Sequence, residues 1–323
     1  GTFAGNTITT GADNIAIGKE SMAAAGTGVT QNIGIGYLTL RLALGSNNIA
    51  IGYLASYGGG TSNSSNNVVI GGNAGQQRTD GRDNVIIGAA ASFGAGTGDS
   101  NTVVGKSSGG GLTSGERNTF IGGVSGNLTT TGNYNTAIGY GSYQGYPGYA
   151  NTGDDNTALG YYAMGGNNVS GNDNTAVGMR ALMTLNTGAN NVAVGVDALK
   201  INQGGTGNTA IGANAGNNIT SGSNNTCLGN GAVTPSNSST NTVVLGNSSV
   251  TAFRCQVDNT VVSDKRDKTN FENVPYGLDF VDKLKPTLFE FKKEGNRNAK
   301  EGDGIKRYGF LAQEILELEG ENP

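Results

Sequence analysis

A single five-residue word recurs along most of this chain and constrains the fold more than any other feature. Asn is followed four residues later by Gly at Asn14, Asn32, Asn48, Asn67, Asn84, Asn101, Asn118, Asn135, Asn156, Asn174, Asn191, Asn208 and Asn225. A fourteenth copy, Asn241 to Gly246, carries one extra residue, and successive Asn residues are spaced 16 to 21 apart, most often 17. The first residue after Asn is Ile, Val or Thr, and the third is Ile, Val or Leu, from Ile17 to Val244. Three residues past each Gly stands Ala, Ser or Thr, from Ser21 to Ser249. β-Branched residues at alternate positions are a strand signal. A 17-residue period is too short for a propeller blade or a helix-pair repeat.

The period suits one coil of an all-β, parallel β-solenoid or β-roll, with two short strands per coil. At a strand spacing of about 4.8 Å, fourteen coils make a rod on the order of 65 Å long. Gly is expected to close each strand where a Cβ would not fit or φ is positive. The recurring Asn is expected to stack as a side-chain ladder that bonds the turn backbone. Side chains on a strand alternate faces, so the first and third residues after Asn share one face, read as the interior. The second, from Ala16 to Val243, then points outward, and it is apolar or glycine in every copy. Such a stripe on a monomer is uncommon. This reading covers it with further copies of the chain and places Ala137, Ala158, Ala176, Ala193 and Ala210 at an inter-chain axis. It does not by itself distinguish three copies from two.

Composition supports repetitive structure over a globular core: 57 of 323 residues are Gly, and there is no His. Fourteen phased aliphatic positions exclude a disordered Gly/Asn/Ser segment. Without His there is no His-based triad or His metal site. Asp13, Asp83 and Asp155 are too scattered for calcium-binding nonapeptides, so neither metal nor cofactor is expected. A net charge of −4 lacks the basic surface a nucleic-acid groove needs. No apolar run reaches membrane-spanning length. Cys227 and Cys255 have no metal-like spacing and read as free thiols. Thr beside the aliphatic position is read as core packing, which sets ice binding aside. The start at Gly1 and the stop at Pro323 read as the limits of a piece of a longer protein.

Charge marks a boundary, because 24 of the 44 charged residues lie in 263–323. We expect a repeat body over 1–250, a connecting strand over 251–262 and the start of a small α+β domain over 263–323. Within that last part Leu278, Phe280, Val281 and Leu284 have helical spacing, ended by Pro286. Leu288 to Phe291 reads as a strand, and Tyr308 to Ile315 as the entry to another helix.

Two resemblances follow. Asn-Thr-Ala-Ile-Gly-Ala-Asn-Ala-Gly at 208–216 resembles the head repeats of trimeric autotransporter adhesins and related phage fibres, which implies a parallel β-roll in a three-fold bundle. Ser-Asp-x-Arg-x-Lys at 263–268, Leu-Lys-Pro at 284–286 and Gly-Phe-Leu-Ala-Gln-Glu at 309–314 together resemble the intramolecular chaperone of phage tailspikes and tail fibres, the endosialidase type. That resemblance implies a trimerising domain that cuts itself off between Val262 and Ser263, with Ser263 as nucleophile and Lys268 as base, and no substrate turnover. A Ser hydroxyl needs a base to become a nucleophile, and burial can lower a Lys pKa far enough to serve. The expected setting is a virion tail fibre, made of a homotrimer with other tail components, or alternatively a bacterial surface adhesin. The widest repeat gap holds Tyr140, Tyr143, Tyr146 and Tyr149. Tyr offers rigid amphipathic area, so these four are candidate contacts for a host glycan or protein receptor. The body offers no evident carboxylate pair for a glycosidase.

Overall fold

The computed structural model describes residues 1–42, 44–58, 64–77, 80–94, 96–252, 281–290 and 306–311. The chain divides into a unit of Gly1–Ser249 and a unit of Val250–Pro323. The first is a parallel β-solenoid. Its fourteen three-residue strands run from β1 (Ile15–Ile17) to β14 (Val243–Leu245) and stack in sequence order in one sheet. Neighbours pair in parallel with the repeat in register, for example Thr175↔Val192 and Val177↔Val194. Each coil holds one strand where two were expected. The rest of the coil is turn, built by a backbone that alternates extended and left-handed residues.

Left-handed φ recurs at three places per coil: before the Asn, two residues after the repeat Gly, and four residues after it. Arg117 (φ 55°), Val124 (φ 51°) and Leu182 (φ 49°) represent the three. For L-residues this conformation costs about 1–2 kcal/mol each. Coil-to-coil backbone bonds offset it, such as Leu54 N–H to Tyr37 O (2.9 Å) and Leu182 N–H to Ala198 O (3.0 Å). The repeat glycines stack on one another, as expected. Gly195 has φ 136°, and a Cβ there would lie 2.5 Å from the carbonyl oxygen of Gly212. Gly1–Gly5 occupy the same turn register ahead of β1, since Glu20 N–H bonds Thr2 O and Gly5 N–H bonds Ser21 O.

Inside each coil runs the expected Asn ladder. Asn118 is buried, and its N–H and Nδ2 donate to Asn101 Oδ1 at 3.0 and 3.1 Å. Its Nδ2 also donates to Gly132 O at 2.9 Å, closing the coil across its interior. The same pattern runs to Asn225, whose Oδ1 accepts the Thr242 N–H. Thr242, not Asn241, therefore holds the last ladder place. Asn241 is the left-handed residue before it, and the extra residue of the fourteenth word disappears. Val244 pairs with Cys227 as the middle residue of β14, and Leu245 is its third.

The ladder corrects the assignment of faces. Asn points inward, so the residue two places on shares its face. The middle residues of the strands are the core: Ala50, Val69, Ile86, Val103 and Phe120 are fully buried. Ala137, Ala158, Ala176, Ala193 and Ala210 are likewise 0 % exposed within their own chain. They are interior packing of the coil and are unavailable at an inter-chain axis. The first and third residues face out, with Ile17 55 %, Ile138 40 % and Ile211 46 % exposed.

The middle row packs against the residue four places after the repeat Gly, and in several coils the two are matched in size. Ala158, Ala176 and Ala193 face Met164, Leu182 and Leu199, all buried in one core. Val103 and Phe120 face Gly109 and Gly126, where an added Cβ would lie 3.2 Å from Val103 Cγ1 and 2.6 Å from the Phe120 ring. In these coils a large residue of one row lies over a small residue of the other, as close packing requires.

In the second unit, β15 (Thr287–Phe289) pairs antiparallel with β16 (Arg307–Gly309). The strand expected at Leu288–Phe291 is thus found, one residue earlier. Tyr308 and Gly309, expected to open a helix, lie in β16. The helix expected over Leu278–Leu284 falls largely outside the described residues, which hold Val281 in helical conformation and the turn after it, with Leu284 N–H bonded to Val281 O.

Candidate functional site

The long coil between Asn135 and Asn156 is where the solenoid departs most from its period. Tyr143 stands four residues after Gly139, the interior place taken by Leu182 elsewhere, and Asn151 bridges Thr129 of the preceding coil. Residues 144–150 therefore replace 127–128 and carry the added length. The base of this loop is pinned from inside. Asn151 Nδ2 donates to Tyr143 O at 2.7 Å, and its Oδ1 accepts Val169 N–H at 2.8 Å.

The four tyrosines expected to contact a receptor separate into different environments. Tyr143 is 1 % exposed and fills the coil opposite Ala137. Its hydroxyl donates to Gly153 O at 3.0 Å and accepts from Asn156 Nδ2 at 3.2 Å, so it takes the place of a rung in the Asn ladder. Burial pushes its phenol well above the ordinary value, opposed by the Asn156 hydrogen bond. It is a core residue and leaves the receptor set. Its distance from Gly139 was the signal that could have placed it. Tyr146 and Tyr149 project from the loop at 60 % and 68 % exposure. Tyr140 lies on the solenoid wall beside the sheet and stacks on Tyr161, with ring centroids 5.9 Å apart and planes at 15°. Tyr162 meets Tyr161 edge-on at 4.7 Å. The phenol of Tyr162 is raised by partial desolvation, then by its neighbours Tyr140 and Tyr161. Rings stacked on each other leave only their outer faces free. This region therefore offers two aromatic surfaces, a packed wall cluster and a loop tip.

Among the described residues there is no group of three metal-ligating side chains, and no helix is long and apolar enough to cross a membrane. Cys227 is a free thiol in the middle of β13 (Thr226–Leu228), its pKa raised by burial. Ser263 and Lys268 lie outside the described residues, as does Cys255.

The fold thus defines a repetitive β-solenoid protein that carries a second, compositionally distinct unit at its C-terminal side. Residues 263–321 of that unit match the family described as chaperone of endosialidase. The match supports a chaperone domain of that type in the C-terminal segment, and it begins at the Ser263 of the opening motif. No curated protein and no solved structure matches the chain.

Proposed function

We propose that this chain is a structural and receptor-binding fibre subunit of a phage tail, assembled as a homotrimer under the guidance of its C-terminal chaperone. One observation carries the reading: a rod of fourteen stacked coils and a chaperone-of-endosialidase segment occur on one chain. Parallel stacking with mostly non-local contacts folds slowly and leaves strand edges open to mispairing. A domain that holds copies together in register answers that hazard. The chaperone segment favours a virion fibre over a bacterial surface adhesin.

In this reading the Ser263 hydroxyl attacks the carbonyl carbon of Val262 while Lys268 takes its proton. Lys268 returns that proton to the departing Ser263 amine as the Val262–Ser263 peptide bond breaks. This leaves the Val262 acyl group as an ester on Ser263 Oγ, and water then hydrolyses the ester to a Val262 carboxylate and a free Ser263 hydroxyl. Release of the chaperone leaves a fibre that cannot readily retrace its folding path. Intact-mass analysis of the chain beside its Ser263→Ala variant tests this. The expected result is a cut between Val262 and Ser263 that vanishes in the variant. An uncut parent makes the tail a retained cap and removes the peptidase role.

The receptor surface is assigned to Tyr146 and Tyr149 at the loop tip, with Tyr140 of the wall cluster as a second contact, and the partner is a host-surface saccharide. Aromatic contacts of this kind are worth about 1 kcal/mol each. The Tyr146→Ala/Tyr149→Ala variant is expected to lose roughly tenfold or more of the chain's retention on immobilised bacterial polysaccharides, with its thermal midpoint unchanged. Equal retention by parent and variant eliminates the loop as a receptor site.

A further inference from the structure

We infer that the outward face of the fourteen-stranded sheet is the surface on which copies of this chain pack together, each strand opposite its own counterpart. The inference rests on the homotrimeric-fibre reading and specifies its interface.

The first and third residues of the strands make two outward rows. Seven of these twenty-eight positions are Thr, and every other one is Ile, Val or Leu, with no charge and no amide. The third row, from Ile17 through Ile138 and Val194 to Leu245, contains no hydroxyl at all. That makes the face a dry one, and it replaces the earlier ground for setting ice binding aside, since the Thr row does face out. Fourteen strands at about 4.8 Å, each about 10 Å long, present on the order of 600 Å² in projection. This lies at the top of the range of about 300–600 Å² for the largest apolar patch of a monomer and approaches the roughly 800 Å² per partner of a stable interface.

The regularity of the face selects its occupant. A partner that contacts it along its whole length must repeat every 4.8 Å or so, which another stack of the same coils does. Elsewhere the coil exterior is mixed: the row before the Asn ladder exposes Asp83, Arg117, Asp155 and Asp173, and the row after the repeat Gly exposes Tyr53, Tyr140, Tyr161 and Met179 among polar residues. The sheet face is the one row set without a charge or amide in any strand, so the sheet face of a second copy matches the sheet face of the first along its whole length. Parallel copies about an axis along the stack bring each row against itself.

Disulfide trapping in the full chain tests the arrangement. Val177→Cys and Ile211→Cys, differently tagged, are expressed separately and together and then oxidised, with the parent as background for the native thiols. The two positions are two strands apart, about 10 Å along the stack, beyond the roughly 4 Å Cβ separation a disulfide spans. The expected result is linkage of each variant to itself, no mixed Val177→Cys/Ile211→Cys product, and no linkage from Gln203→Cys on an exposed turn. Mixed products overturn the register. A parent that sediments as an oligomer while neither strand variant links overturns the face but leaves the fibre reading standing. A parent that sediments as a monomer overturns both.

Discussion

Asn118→Asp is expected to lower the thermal unfolding midpoint at neutral pH by on the order of 10 °C, and to recover part of that loss on acidification. The wild-type amide donates to Asn101 Oδ1 and Gly132 O, and its oxygen accepts from Asn135 N and Nδ2. A carboxylate of the same shape keeps the two accepted bonds and turns both donated bonds into contacts between oxygens. Burying a charge against two acceptors costs several kcal/mol, roughly 3–5 here, and for a unit of this size each kcal/mol moves the midpoint by about 2–4 °C. The sign with pH follows from linkage. In the folded chain the introduced carboxyl is held above its unfolded value of about 3.9. The destabilisation is therefore fully present above the folded pKa and fades as pH falls toward the unfolded one. A melting series from pH 7 to pH 4 on variant and parent reads this directly. A variant that melts with the parent at pH 7 would mean that the ladder contributes little.

The second large effect lies in the paired interior rows. Gly126→Leu is expected to unfold the coil locally, because even a Cβ at Gly126 would lie 2.6 Å from the Phe120 ring. Phe120→Ala alone leaves a cavity worth about 3–5 kcal/mol. Together they recreate the Ala176–Leu182 pair found three coils further on, and Leu182 shows that leucine is accommodated at φ 49°. The double variant is expected to be more stable than either single one, with a coupling energy of about 3 kcal/mol. Additive losses in a double-mutant cycle of denaturation midpoints would show that the two rows do not compensate each other.

Much of the fold was legible because it is periodic. The phased aliphatic residues, the closing glycines and the Asn ladder all lie where the repeat implied. The assignment of faces did not follow from hydrophobicity, because every residue of the strand is apolar or Thr. Two other signals carried it. A stacked Asn has to sit inside the coil to satisfy its amide, which fixes the parity of Asn118, Phe120 and every equivalent pair. The inverse sizes of Phe120 with Gly126 and of Ala176 with Leu182 likewise mark them as facing each other. The same counting places Tyr143 in the core and leaves Tyr146 and Tyr149 in the added loop. The left-handed turns were hidden, since Val124 (φ 51°) and Leu182 (φ 49°) give no local sign of that backbone, and only coil-to-coil bonding imposes it.

The central claim is that this solenoid is one strand of a three-chain fibre. Sedimentation equilibrium of the Ser263→Ala chain, which the proposed cleavage cannot shorten, tests it most directly. The account predicts a single species of three times 32.6 kDa, stable to dilution. A folded species at 32.6 kDa, with its aliphatic sheet face open to water, would contradict it.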